Sequence, residues 1–63
     1  MNTNKEYRLV RGRGRALQPE ERYVGCLCWP DTIDPTGAVN VTVLLPDGFL
    51  ATDTIDPECL EAV

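Results

Sequence analysis

The feature that most constrains this chain is Pro46-Asp47-Gly48, set between two apolar runs. Before it, Val39, Val41, Val43 and Leu45 alternate with Ala38, Asn40, Thr42 and Leu44. A period of two puts every second side chain on one face of a strand. Pro46 presets the first turn angle, Asp47 suits the second, and Gly48 takes a positive φ with no Cβ penalty. This is the chemistry of a three-residue hairpin loop, a type I turn closed by a left-handed residue in a bulge. The loop sets a register in which Leu45 faces Phe49, Leu44 faces Leu50, Val43 faces Ala51, Thr42 faces Thr52 and Val39 faces Ile55. One face then reads Val39, Val41, Val43, Leu45, Phe49, Ala51 and Ile55, the expected core side. The other reads Asn40, Thr42, Thr52 and Thr54, with Leu44 and Leu50 at the turn end. Only Asp53, facing Val41, breaks the sorting, and a bulge or bend is expected there.

Around this hairpin the chain reads as further short elements. Residues 1–6 form a flexible N-terminal tail. Tyr7-Arg8-Leu9-Val10 is strand-like, and the strand character continues to Arg15-Ala16-Leu17 before Gln18-Pro19-Glu20-Glu21 interrupts it. Pro19 and the two glutamates can open a short helical turn. Tyr23–Trp29 is a strand that Pro30-Asp31 ends. After Ile55, Asp56 suits an N-cap, Pro57 the first helical position and Glu58 the positive end of the dipole. The remaining length permits one turn, of 3₁₀ type, and one closing strand over Glu61-Ala62-Val63.

Asp31-Thr32-Ile33-Asp34-Pro35 recurs unchanged as Asp53-Thr54-Ile55-Asp56-Pro57. Two copies do not make a solenoid. Both read as strand ends running into an Asp-Pro turn. The competing reading is a carboxylate cluster for a divalent cation, and the spacing fits no EF-hand loop.

The succession of short strands, tight hairpin, single helical turn and final strand resembles the SH3-like small barrels, the group of SH3, Tudor and KOW-type modules. Val39 to Ile55 and the ending Asp56-Pro57-Glu58-Cys59-Leu60-Glu61-Ala62-Val63 carry the resemblance. It implies an all-β domain over 7–63, a small SH3-like barrel of about five short antiparallel strands with one 3₁₀ turn before the last. The Ala-Leu-Tyr-Asp-Tyr motif of SH3 peptide recognition is absent, so polyproline binding does not carry over. The KOW glycine pattern is not clear, and the fold by itself implies no function.

Composition narrows the chemistry. A chain of 63 residues buries only about 60% of its unfolded surface, so the core is small and a deep pocket has little room. Histidine is absent, which removes Ser-His-Asp, Cys-His and most catalytic zinc sites. No phosphate loop or dinucleotide fingerprint exists. The expectation is a protein that is not an enzyme and holds no cofactor. The chain has no apolar run of membrane-spanning length and no signal-peptide h-region, so a cytoplasmic location and no membrane partner are expected. Three cysteines is an odd number, which argues for reduced thiols. Cys26, Cys28 and Cys59 could supply three thiolates, but structural zinc wants four ligands. They read as small apolar core residues, with no metal.

Charge is unevenly placed. Residues 1–22 hold all six basic groups against Glu6, Glu20 and Glu21, while residues 23–63 hold seven acids and no base. The two halves can neutralise each other in the fold or across a dimer, and that reading is preferred. A basic arm for nucleic acid is the alternative.

The functional expectation comes from surplus apolar surface. If Tyr23–Trp29 is a strand, Tyr23, Leu27 and Trp29 share one face and Val24, Cys26 and Cys28 the other. Only one of these can meet so small a core. The other must be covered by the segment from Tyr7 to Leu17 or by another molecule. Leu44 and Leu50 also point outward. The sequence therefore implies a non-enzymatic macromolecule-binding module acting by protein–protein contact through Tyr23, Leu27, Trp29, Leu44 and Leu50, with a homodimer as one form. Size and simplicity suit a stand-alone accessory or inhibitor protein of the kind phages and plasmids encode. Arg11, Arg13 and Arg15 alternate with Gly12 and Gly14, so a strand would present three guanidiniums on one face as a charged contact. The alternative function is a nucleic-acid-binding regulator using that strand.

Overall fold

A computed structural model describes residues 5–14 and 17–63. The hairpin forms as its turn chemistry requires. Strand β3 (Val39–Leu44) pairs antiparallel with β4 (Leu50–Ile55) from Leu44↔Leu50 to Val39↔Ile55. Leu45 N–H donates to the Phe49 carbonyl at 2.9 Å, and Gly48, at φ 89°, donates to the Leu45 carbonyl at 2.9 Å.

The same turn occurs a second time. Strand β2 (Leu27–Ile33) joins β3 through Asp34-Pro35-Thr36-Gly37-Ala38. Asp34 N–H donates to the Ala38 carbonyl at 2.7 Å, and Gly37, at φ 91°, donates to the Asp34 carbonyl at 2.9 Å. Pro-x-Gly thus closes both hairpins, and together they make a three-stranded meander, β2-β3-β4.

Pro30 does not end β2, contrary to the sequence expectation. The pairing of β2 with its other neighbour reaches no further than Cys28, so Pro30 sits where one side of the strand is open. Proline is tolerated at such edges and at bulges. The register between β2 and β3 shifts between Pro30 and Thr32, which leaves Asp31 as the extra residue. The bulge expected at Asp53 is not there: β4 runs past Val41↔Asp53 without a shift. The irregularity falls on the other copy of the pentapeptide.

Strand β1 (Tyr7–Leu9) pairs with β2 and with β5 (Leu60–Ala62), both antiparallel. One five-stranded antiparallel sheet results, in the order β4-β3-β2-β1-β5. The sheet is not closed; β4 and β5 lie at opposite edges. Two 3₁₀ turns complete the fold, η1 (Glu21–Tyr23) and η2 (Pro57–Cys59). The turn before the last strand is as expected, but Asp56 makes no side-chain cap to it.

The long connection from Val10 to Cys26 is not a continuation of β1. None of residues 10–14 or 17–20 is in a strand, and Tyr23, read from sequence as the start of a strand, lies in η1. Gly25 N–H donates to the Leu9 carbonyl and Cys26 N–H to the Tyr23 carbonyl, so the chain turns before β2 can begin at Leu27. Residues 1–4 of the expected tail, and Arg15 and Ala16, lie outside the described residues.

The core lies on one side of the sheet. Leu9, Cys28, Val39, Val41, Val43, Ile55 and Cys59 are fully buried, and Tyr23 joins them from η1. Phe49 does not: it stands 71% exposed at the hairpin tip, past the end of the core. The connection is tied down beside the core by two carboxylates of the second pentapeptide. Asp53 Oδ2 accepts Glu20 N–H at 3.0 Å, and Asp56 Oδ2 accepts Leu17 N–H at 2.7 Å. Asp56 N–H returns a bond to the Leu17 carbonyl at 3.0 Å. A core-side carboxylate at a sheet edge, out of place in the alternation, is thereby explained as a clasp.

Candidate protein-docking face

The opposite face of the sheet carries the side chains the core does not take. Cross-strand register lines them up in rows. Arg8 pairs with Glu61 on one side and Leu27 on the other, Leu27 with Leu44, and Leu44 with Leu50. One row therefore crosses all five strands as Glu61, Arg8, Leu27, Leu44, Leu50. The next row is Trp29, Thr42, Thr52. Leu27, Trp29 and Leu44 are half-buried, and Leu50 is 65% exposed.

The far end of this face is polar and already satisfied. Asn40 stands between the two copies of the pentapeptide, opposite Thr32 on β2 and Thr54 on β4. Its amide donates to Thr32 Oγ at 2.9 Å and accepts from Thr54 Oγ at 2.6 Å. Thr42 Oγ donates to Asp31 Oδ2 at 2.6 Å, which places the bulged Asp31 on this outer face. The two copies are thus in step across β3 at threonine and isoleucine and out of step at aspartate. The bulge turns Asp31 outward, while Asp53 stays on the core side. Among the described residues no group of three or more His, Cys, Asp or Glu side chains is arranged to hold a metal ion.

Among the described residues no side-chain hydrogen bond spans the apolar end. Leu27, Trp29, Leu44 and Leu50, four of the five residues expected to contact a partner, come together there. Tyr23 does not join them. It is 4% exposed and packs in the core, with its hydroxyl accepting from Arg22 at 3.1 Å. Phe49, which sequence patterning assigned to the core, stands exposed at the hairpin tip opposite Leu45, on the side of the alternation away from the row. Its position one residue past the turn was the available signal, because the last pair of a hairpin can extend beyond a small core.

Arg11 to Gly14 is not in a strand. Arg11 is held by Glu21 in an ion pair, and Gly12 is clamped from both sides by Gln18, whose Oε1 accepts Gly12 N–H at 2.9 Å and whose Nε2 donates to the Gly12 carbonyl at 3.0 Å. Arg13 is exposed, and Arg15 lies outside the described residues. The other ion pair among the described residues, Arg22 with Glu20 at 3.3 Å, is more local still. No ion pair among the described residues joins residues 5–22 to the acidic remainder, so the expected neutralisation of the two halves within the fold is not seen there.

The cysteines are free, with Cys28 and Cys59 buried and Cys26 half-buried. Burial, and secondarily the adjacent Cys26 thiol, pushes Cys28 up to about 11. Burial likewise raises Cys59. Cys59 Sγ–H also points to the Leu17 carbonyl at 3.6 Å, beside the Asp56 clasp.

No known family model, curated protein or solved structure matches this chain.

Proposed function

We propose that this chain is a non-enzymatic protein-binding module that docks through the apolar end of its outer sheet face. The observation that carries the reading is the row Leu27, Leu44, Leu50 with Trp29 beside it, on the side of the sheet away from the core. A sheet needs one covered face to fold. A second apolar region, ending at Leu50 at 65% exposure, is surplus to folding. Covering the exposed part of Leu50 contributes on the order of 1–2 kcal/mol, in the range of an interface anchor.

An SH3-like architecture belongs to the same proposal. The place of β1 between β2 and β5, and a 3₁₀ turn directly before β5, support it. An accessory or inhibitor role, suited to a domain of this size, belongs to the proposal as well. The nucleic-acid alternative has less support, since Arg11 and Arg22 are engaged by Glu21 and Glu20.

Photo-crosslinking tests the proposal. A benzophenone amino acid at position 50 is compared with one at position 58, which is exposed on η2 and is not part of the row. A discrete adduct in the native cell from position 50 alone, lost on Leu44→Ser, supports it. Adducts from both positions, or from neither, overturn it.

A further inference from the structure

The surroundings of the apolar row assign its partner a charge. Asp31 stands on the outer face at the border between the polar and apolar ends, Asp47 in the loop that joins β3 to β4 beyond Leu44 and Leu50, and Glu61 at the end of the row that crosses the sheet. None of the three is in an ion pair among the described residues. Asp31 is taken up by the Thr42 hydroxyl and Asp47 by Phe49 N–H at 3.1 Å, both neutral donors that leave the carboxylate charge uncompensated. The one base in the row, Arg8, donates to the neutral Gly25 carbonyl at 2.8 Å and keeps its charge opposite Glu61, so the face sets three acids against one base. Elements β2 to β5 contain no lysine or arginine at all.

We propose that the occupant of this face is a basic peptide segment, with aliphatic or aromatic anchors for the row and lysine or arginine side chains for the acidic rim. This rests on the docking reading above and adds the chemistry of the partner. A second copy meeting the face with its own identical face would bring the same acids together, and like charges placed across an interface oppose association. An anionic lipid surface is opposed for the same reason. A basic segment reverses both effects and is drawn to the face at long range, in a manner that salt screens.

The test uses the full chain, labelled with ¹⁵N, and three synthetic heptapeptides. All share Leu-Trp-Leu at alternate positions; the intervening residues are all Lys, all Glu or all Ser. Expected is a Lys peptide that moves the Trp29 indole signal and the Leu27, Leu44 and Leu50 amides. It binds at least about tenfold more tightly than the Glu peptide at low salt, as two or three rim pairs allow. The difference shrinks at 0.5 M salt and in the Asp31→Asn, Asp47→Asn, Glu61→Gln triple variant, and Leu50→Ser weakens binding of the Lys peptide. Equal binding of the Lys and Glu peptides at those signals overturns the charge assignment and leaves the docking face standing. A Lys peptide that moves other signals, or is indifferent to Leu50→Ser, overturns both. Binding by none of the peptides overturns the basic-segment assignment. So do shifts at the same signals that grow with protein concentration alone, because they make the occupant a second copy.

Discussion

Asp53→Ala removes the acceptor of two backbone donors, Glu20 N–H at 3.0 Å and Thr54 N–H at 2.8 Å. A hydrogen bond to a charged group contributes about 1.5–3 kcal/mol when well buried. Asp53 is half-buried, so about 1 kcal/mol for each bond is the appropriate scale, and about 2 kcal/mol for the residue. In a domain of this size that corresponds to a fall in Tm of about 8–16 °C. The repeat supplies its own control. Asp31 occupies the same place in an identical pentapeptide, but it accepts one exposed hydroxyl, that of Thr42. Asp31→Ala should cost about 0.5 kcal/mol or less. Urea unfolding followed by Trp29 fluorescence, with thermal unfolding by circular dichroism, measures both variants. Asp53→Ala with Asp56→Ala should lose less than the sum of the single changes, because each loosens the same connection. Equal losses at Asp31 and Asp53, or a loss below about 0.5 kcal/mol at Asp53, would refute the clasp.

Three further outcomes follow from the same geometry. Gly48→Ala forces a Cβ onto a backbone at φ 89° and should cost about 1–2 kcal/mol in urea unfolding, although no atom lies within 4 Å of the new methyl position. Phe49→Ser should leave stability within about 0.5 kcal/mol of the parent, given its exposure at the tip. The Cys28 thiol, at about 11 when folded against about 8.5 when unfolded, keeps a proton that the unfolded chain has lost between those values. Its contribution to stability is therefore complete below about pH 8.5 and declines as pH rises toward 11, and Cys28→Val should flatten that part of the alkaline unfolding profile. A profile unchanged by the substitution would contradict the burial of this thiol.

What could be read from the residues, and what could not, divides along physical lines. The β3–β4 register was legible because Pro46, Asp47 and Gly48 each impose a backbone angle and the alternation beside them is strict. Leu44 and Leu50 were therefore placed correctly as outward neighbours. Leu27 could be added to their row only through the β2–β3 register, which depends on the bulge at Asp31. A bulge is an extra residue with no compositional mark. The span Tyr23–Trp29 has strong β character, yet the turn through Gly25 overrides it and sends Tyr23 into the core. Asp53 looked like an error in the pattern because its partners, Glu20 and Thr54 N–H, are backbone groups, and one of them lies 33 residues away. The identical pentapeptides could not be told apart locally, since their different roles come from what packs against each.

The most direct measurement sets neighbouring positions of β3 against each other. Val43 is fully buried in the core, and Leu44 lies on the outer face opposite Leu27 and Leu50. Val43→Ser leaves a cavity and a hydroxyl among apolar groups, at a cost of about 3 kcal/mol, whereas Leu44→Ser should cost less than about 1 kcal/mol. Each variant carries the benzophenone at position 50, and its fold and its adduct are recorded together. The account predicts that Leu44→Ser keeps the native circular dichroism spectrum and loses the adduct, while Val43→Ser loses the fold. A folded Leu44→Ser protein that still forms the adduct would contradict it.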